Sequence, residues 1–454
     1  MILNRKILFL QFLLNILIIC LVLLTIRKIS IDINIIYFCY FILVLTYLDS
    51  FFLYEVKDSP IKSFLFFNLS RYSVFFIGYM IFYFAYYYPN NQIISVIAPN
   101  EYFDSGMYVY VAKNLVNGLS VADTDFALYY GTQMSPNWAL IVYLYSGMFL
   151  IFGIEEQILP MINLFIYSYM FFFFIYILKM TNLTKNQIYC ISFLMLLFPG
   201  SIYWVASLSK EVLYYCFLAI LFYLLLKNKT IISKRIIVIS LVASLLSRFN
   251  IIAIIIFSKV SILLKSNTKK SFIKNLLKTY ILILFIFILS VFFLDLIFNI
   301  NFFQSPMYIP GGVNVSEIWG SKMNFVPMSI SELFYKLPVK FLFTIFSEVN
   351  VIHIFTYPYG DTSSYASLFN ILQGFVRIIL ILLIIIFFLI RKNINNMAFR
   401  FMIFTFIFYL LFSISVGFFQ ARYIIFGDYL LLFSLIFIIS GNEKENSFES
   451  SKYE

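Results

Sequence analysis

Residues 7–26 read ILFLQFLLNILIICLVLLTI, twenty positions without a charged side chain. An α-helix needs about 20 apolar residues to cross the hydrocarbon of a bilayer, and this run supplies them. Arg5 and Lys6 precede it, and no small-residue cleavage site follows. It therefore reads as a retained span rather than a cleaved signal peptide. Similar runs recur near 31–54, 73–95, 158–178, 187–208, 209–226, 277–300, 366–390, 397–417 and 423–440. Shorter ones lie at 138–153, 235–247, 249–264 and 341–357.

Composition agrees with the runs. Of 454 residues, 63% are hydrophobic and 12% charged, against roughly 45–50% and about 25% in soluble domains. One aqueous core could not bury so much apolar surface, and exposed it would aggregate. The expected fold is an all-α polytopic membrane protein with about 11–13 transmembrane helices, some of them short or broken. Residues 1–441 form one membrane domain, and 442–454 (NEKENSFESSKYE) read as a disordered cytoplasmic tail. Abundant Phe, Tyr, Ile, Asn and Lys point to AT-rich coding and a bacterial source, so the aromatics carry little functional weight.

Basic residues orient the runs. Arg5/Lys6, the Lys57–Lys62–Arg71 stretch, Lys227/Lys229/Lys234/Arg235, the run from Lys265 to Lys278, and Arg391/Lys392/Arg400 read as cytoplasmic anchors. Arg27 and Lys28 then fall outside, against the rule. Two long polar segments, 96–137 and 301–365, become outer loops carrying surface helices. This distribution explains the net charge of +11 without a nucleic-acid partner. The four cysteines lie in apolar runs with no CxxC spacing, and the single histidine, His353, rules out a His-rich metal site within the chain. Catalysis by Ser-His-Asp or Cys-His would have to use that one histidine.

Two stretches do not fit simple crossings. Residues 235–264 begin and end on the cytoplasmic side but are too short for two full spans, which predicts broken helices turning near Arg248 and Asn250. The apolar segments between 138 and 226 must cross an odd number of times, which sets Ser209-Lys210-Glu211 at the outer face if Lys179 and Lys185 are cytoplasmic. Irregular backbone at membrane depth survives where it is buried in protein or lines a wet cavity. A cavity opening outward follows.

Six polar positions invite chemistry. Asp104 stands at or just before the N-terminus of a predicted surface helix, whose apolar residues recur at helical spacing from Met107 to Leu115, as an N-cap, as a carboxylate placed to take a proton from a hydroxyl, or as both. Glu211, next to Lys210, follows a Pro199-Gly200 break and Trp204; it is either solvated charge or a cavity residue. Arg248 and Arg377 lie within apolar runs, where a charge costs at least about 2.5–3.5 kcal/mol and usually faces protein or water. Arg422, followed by Tyr423, sits at an outer helix end. Guanidinium groups there suit phosphate, although Asp49, Asp295, Glu348 and Asp428 are available to balance them. Outward carboxylates with arginines at the membrane boundary suit a phosphate at the lipid surface and a hydroxyl to be activated.

The chain resembles the GT-C superfamily of membrane glycosyltransferases. Asp104, Tyr108, Ala112, Gly118 and Pro136 match its acidic first outer loop; Pro199 and Glu211 match a Pro-containing helix ending in a second acid; Leu245-Leu246-Ser247-Arg248 and Arg422-Tyr423 match its later basic elements. The resemblance implies Asp104 as catalytic base and Glu211 supporting acceptor or metal. It also implies Arg248 and Arg422 on lipid phosphate. Tyr108, Lys210, Arg377 and Tyr423 are further candidates for the substrate site. No cofactor is assigned, and a divalent cation is compatible. The partners implied are a polyprenyl-phosphate-linked sugar or glycan, a glycan or lipid-linked acceptor, and membrane lipid. Bacterial O-antigen and capsule repeat-unit polymerases share the size, the two outer loops and the outer-face arginines, with nearly the same chemistry. A lipid-linked oligosaccharide flippase is the rival from another class, although no internal repeat is visible. A non-enzymatic scaffold of a membrane complex is a weaker alternative.

Overall fold

A computed structural model describes residues 5–25, 33–55, 60–83, 104–119, 136–227, 234–246, 362–390 and 425–440, with a few positions between 251 and 407. Nearly all of these residues are helical. Five helical segments are long and apolar enough to cross a membrane: Lys6–Leu24, Ile35–Tyr54, Pro60–Phe82, Glu156–Leu178 and Ile371–Ile390. A sixth would be the pair Lys185–Leu196 and Pro199–Ala206, bent by 52° at its break. The break has a local cause. Pro199 lacks an N–H and clashes with a continuing helix, and Phe198 before it turns extended at φ −58°, ψ 121°.

The helices are α1 (Arg5–Thr25), α2 (Ile35–Glu55), α3 (Pro60–Phe82), α4 (Asp104–Val116), α5 (Pro136–Phe152), α6 (Leu159–Ser168), α7 (Met170–Leu178), α8 (Lys185–Leu196), α9 (Pro199–Ala206), α10 (Glu211–Lys227), α11 (Lys234–Leu246), α12 (Thr362–Ile390) and α13 (Ile425–Ser440). A single 3-10 turn, Glu156–Ile158, leads into α6. One two-residue antiparallel pair joins β1 (Tyr308–Ile309) to β2 (Val313–Asn314).

The chain divides into two compact units. Residues 1–179, 183–251 and 352–366 form the first; residues 180–182, 252–351 and 367–454 form the second. In the first unit, α3 lies against α6, α8 and α9, while α10 lies against α6 and α7. Phenylalanine rings fill the space between them: Phe67 meets Phe172 at 4.5 Å, Phe75 meets Phe165 at 4.7 Å, and Phe52 stacks on Phe172 at 5.2 Å. Outward faces of α1 to α3 carry Phe9, Tyr40, Phe51, Leu65 and Phe76, each at least half exposed. Hydrocarbon is the solvent such faces suit.

α3 and α6 meet closely at Gly78. A Cβ there would sit 2.5 Å from Leu164 Cδ2 and 3.0 Å from Cδ1. Gly78→Val should therefore push the helices apart and destabilise the first unit by about 1–3 kcal/mol, the usual cost of overpacking. Gly78→Ala should cost less, because the tip of Leu164 can turn away. Thermal unfolding in detergent checks the order of the two variants.

The third span is placed differently from the sequence expectation. Instead of beginning near 73 behind cytoplasmic Lys62 and Arg71, the helix runs Pro60–Phe82 with Arg71 midway along it and 1% exposed. Arg71 needs no water because the protein meets its charge. Its Nη1 and Nη2 each donate to Asp49 of α2 at 2.7 Å, Nη1 also donates to Asn15 Oδ1 at 3.0 Å, and Nε donates to Ser168 Oγ at 3.1 Å. Asp49 further accepts from Gln11 Nε2, Asn15 Nδ2 and the Tyr169 hydroxyl, each at 2.8 Å. The Phe67 ring lies 4.2 Å below the guanidinium carbon. One buried ion pair thus ties α1, α2 and α3 to the α6–α7 joint, where Tyr169 stands.

Candidate functional site

Asp104 opens α4, the position the sequence predicts for it. Tyr108, one turn on, is 1% exposed, and Val109, Val111 and Ala112 are buried with it. α4 ends at Val116, and Gly118 just beyond it has a φ of +80° that a side chain would resist. The helix is docked rather than loose. It packs along α5, Ser146 of α5 donates to the Ala112 carbonyl at 3.3 Å, and Lys113 pairs with Glu156 of the 3-10 turn.

α5 brings Tyr145 inward, fully buried. Asn163 of α6 donates through Nδ2 to the Tyr145 hydroxyl oxygen at 2.9 Å and to the Val205 carbonyl of α9 at 3.1 Å. Glu211 opens α10. Its residue exposure is 1%, so it is not a solvated surface charge. A carboxylate is favoured at a helix N-terminus, where backbone N–H groups and the helix dipole meet it.

The turn that delivers Glu211 is constrained. Leu208 has φ +59°, the single non-glycine positive φ among the described residues. Ser209 and Ser207 fold back to donate to the Trp204 carbonyl at 2.5 and 2.9 Å. Lys210 caps the new helix with its carbonyl, which accepts from Leu213 and Tyr214, while its side chain stays half-buried. Backbone held in a sparsely populated region costs on the order of 1–3 kcal/mol and clusters at sites where position matters.

Arg377 lies in the second unit. It is fully buried, donating from Nε to Asp428 Oδ1 at 2.5 Å and from Nη2 to Oδ2 at 2.8 Å, while Gln373 Nε2 donates to Oδ2 at 2.7 Å. α12 and α13 are thereby joined, and Asp428 balances the arginine's charge inside the protein. Arg248, Arg422 and Tyr423 lie outside the described residues. Among the described residues, no group of three His, Cys, Asp or Glu side chains could hold a metal ion.

No protein-family model, curated protein or solved structure matches this chain.

Tyr108, Lys210 and Glu211 all fall in the first unit, on helices linked through α5 and α6. Sequence reasoning missed Tyr145 and Asn163, which sit in apolar runs and have no spacing that marks them. It also missed the pairing of Asp49 with Arg71, whose signal was present. Gln11 and Asn15, Thr46 and Asp49, and Asn68 and Arg71 are spaced by three or four residues on three successive helices, which puts each pair on one helix face.

Proposed function

We propose that the chain is a bacterial multi-pass membrane glycosyltransferase of surface-polysaccharide assembly. It crosses the cytoplasmic membrane about a dozen times and works at the outer face. The substrate is a sugar or glycan on polyprenyl phosphate or diphosphate, and the acceptor supplies a hydroxyl.

The observation that carries this reading is the buried carboxylate of Glu211. It opens α10 after a bent helix pair, in the same unit as the docked helix that Asp104 opens. Ionisable groups at membrane depth mark function by default. The Asp49–Arg71 and Arg377–Asp428 pairs each meet their own charge.

In this mechanism, Asp104 takes the acceptor's hydroxyl proton as the oxygen attacks the anomeric carbon. The bond from that carbon to the phosphate oxygen breaks, and Arg248 and Arg422 stabilise the departing phosphate. Lys210, Tyr108 and Tyr423 complete the substrate surface, and Glu211 supports the acceptor. Arg377 remains a clamp between α12 and α13.

Asp104→Asn, Glu211→Gln and Arg248→Ala, made in the source organism with protein levels checked, should lose or shorten the surface polysaccharide on a gel. A glycan of single repeat units would identify a repeat-unit polymerase, and a missing sugar a simple transferase. Wild-type glycan from all three variants would refute the proposal.

A further inference from the structure

Glu156 stands on a turn that is fixed from two sides. Gly153 follows the end of α5 with a φ of +83°, and the Glu155 N–H folds back to the Gly153 carbonyl at 2.8 Å. From α3, the Tyr79 hydroxyl donates to the Gln157 carbonyl at 3.3 Å, and the Tyr83 hydroxyl donates to Gln157 Oε1 at 3.1 Å. Lys113 of α4 reaches this turn and pairs with Glu156. The two side chains are 25% and 12% exposed, so the pair is mostly withdrawn from solvent. Helical geometry says what the contact can do. Position 104 precedes Lys113 by about two and a half turns, which puts the two positions on opposite sides of α4. Tyr108, Val109 and Ala112 are buried and occupy the arc between them.

We infer that the Lys113–Glu156 pair is a positioning device for α4 and, through α4, for residue 104. Apolar contacts are non-directional, so burial against α5 alone would let the helix roll. Ser146 holds the Ala112 carbonyl at one point, about which the helix could still turn. An ion pair to a fixed turn, made on one rim of the buried face, opposes that roll. Position 104 lies on the other rim, so the same contact sets where residue 104 stands. Lys113 and Glu156 act through the helix rather than on substrate. That role rests on the glycosyltransferase reading; the tether between α4 and the turn does not.

Two readouts on the purified full-length chain separate them. The first is hydrogen exchange of the α4 amides. Lys113→Met and Glu156→Gln should each speed it about two- to fivefold, the factor a partly exposed ion pair supplies. Lys113→Arg should keep wild-type exchange, and the reversed pair Lys113→Glu/Glu156→Lys should recover most of the loss. Wild-type exchange in both neutral variants, or a reversed pair no better than they are, would overturn the tether. The second readout is steady-state transfer from a polyprenyl-diphosphate-linked glycan. Lys113→Met should lower kcat about 10- to 100-fold with KM little changed, the cost of a small misplacement of a reacting group. Lys113→Arg should restore the rate, and Lys113→Met should add nothing in an Asp104→Asn background. Faster α4 exchange with wild-type kcat would reduce the pair to a structural brace and overturn the positioning role. If wild type transfers nothing, or Asp104→Asn transfers normally, the functional reading falls and the positioning role with it, and the tether is judged by exchange alone.

Discussion

Arg71→Ala and Asp49→Ala should each lower the stability of the protein by about 3–5 kcal/mol, among the largest effects of any single substitution in the chain. Each leaves a buried charge without its counter-ion. Arg71→Ala strands a carboxylate between Gln11, Asn15 and Tyr169, none of them charged. Asp49→Ala strands a guanidinium among Phe67, Phe165 and Tyr169 rings, with the Asn15 and Ser168 oxygens as remaining acceptors. The double variant Asp49→Leu/Arg71→Met should recover most of the loss, because apolar residues of similar volume replace a buried pair at little cost. Thermal unfolding in detergent distinguishes this from independent contributions. If the double variant is the least stable of the three, the charges matter beyond their mutual neutralisation.

Asp104→Asn should reduce kcat about 100- to 10,000-fold, the usual worth of a positioned general base. KM should hardly change, since the amide keeps the size of the carboxylate. The distinction from a folding defect comes from the melting temperature. The substitution is nearly isosteric, so stability should stay within about 0.5 kcal/mol of wild type. Full activity in Asp104→Asn would remove the base from the mechanism and favour a flippase, which needs phosphate-binding arginines more than a carboxylate.

Sequence was informative where physical chemistry acts locally. Hydropathy located α1 and α2, the segment 156–178 and α12 within a few residues, because a lipid-facing helix must be apolar along its whole length. The Pro199 break and the start of α4 at Asp104 were legible for the same reason, since caps and breakers act within one turn. Arg71 misled because a positive charge near the end of a hydropathy run looks like an interface anchor. Only tertiary packing brings Asp49 to it, 22 residues away in sequence. Arg377 was visible as a buried charge, and its partner was among the acids available to balance it. The choice of Asp428 depended on how α12 and α13 meet. Tyr145 and Asn163 were illegible in principle: a tyrosine and an asparagine in apolar helices look like any others until packing brings them together.

The most direct test of the account is transfer by the purified chain in lipid vesicles. A polyprenyl-diphosphate-linked glycan carrying a fluorescent label would be supplied with an unlabelled lipid-linked acceptor, and the products separated by size. The account predicts labelled glycan joined to the acceptor by wild type, and label left on its original lipid with Asp104→Asn. Label that crosses the bilayer without changing its lipid would contradict it and make the protein a transporter.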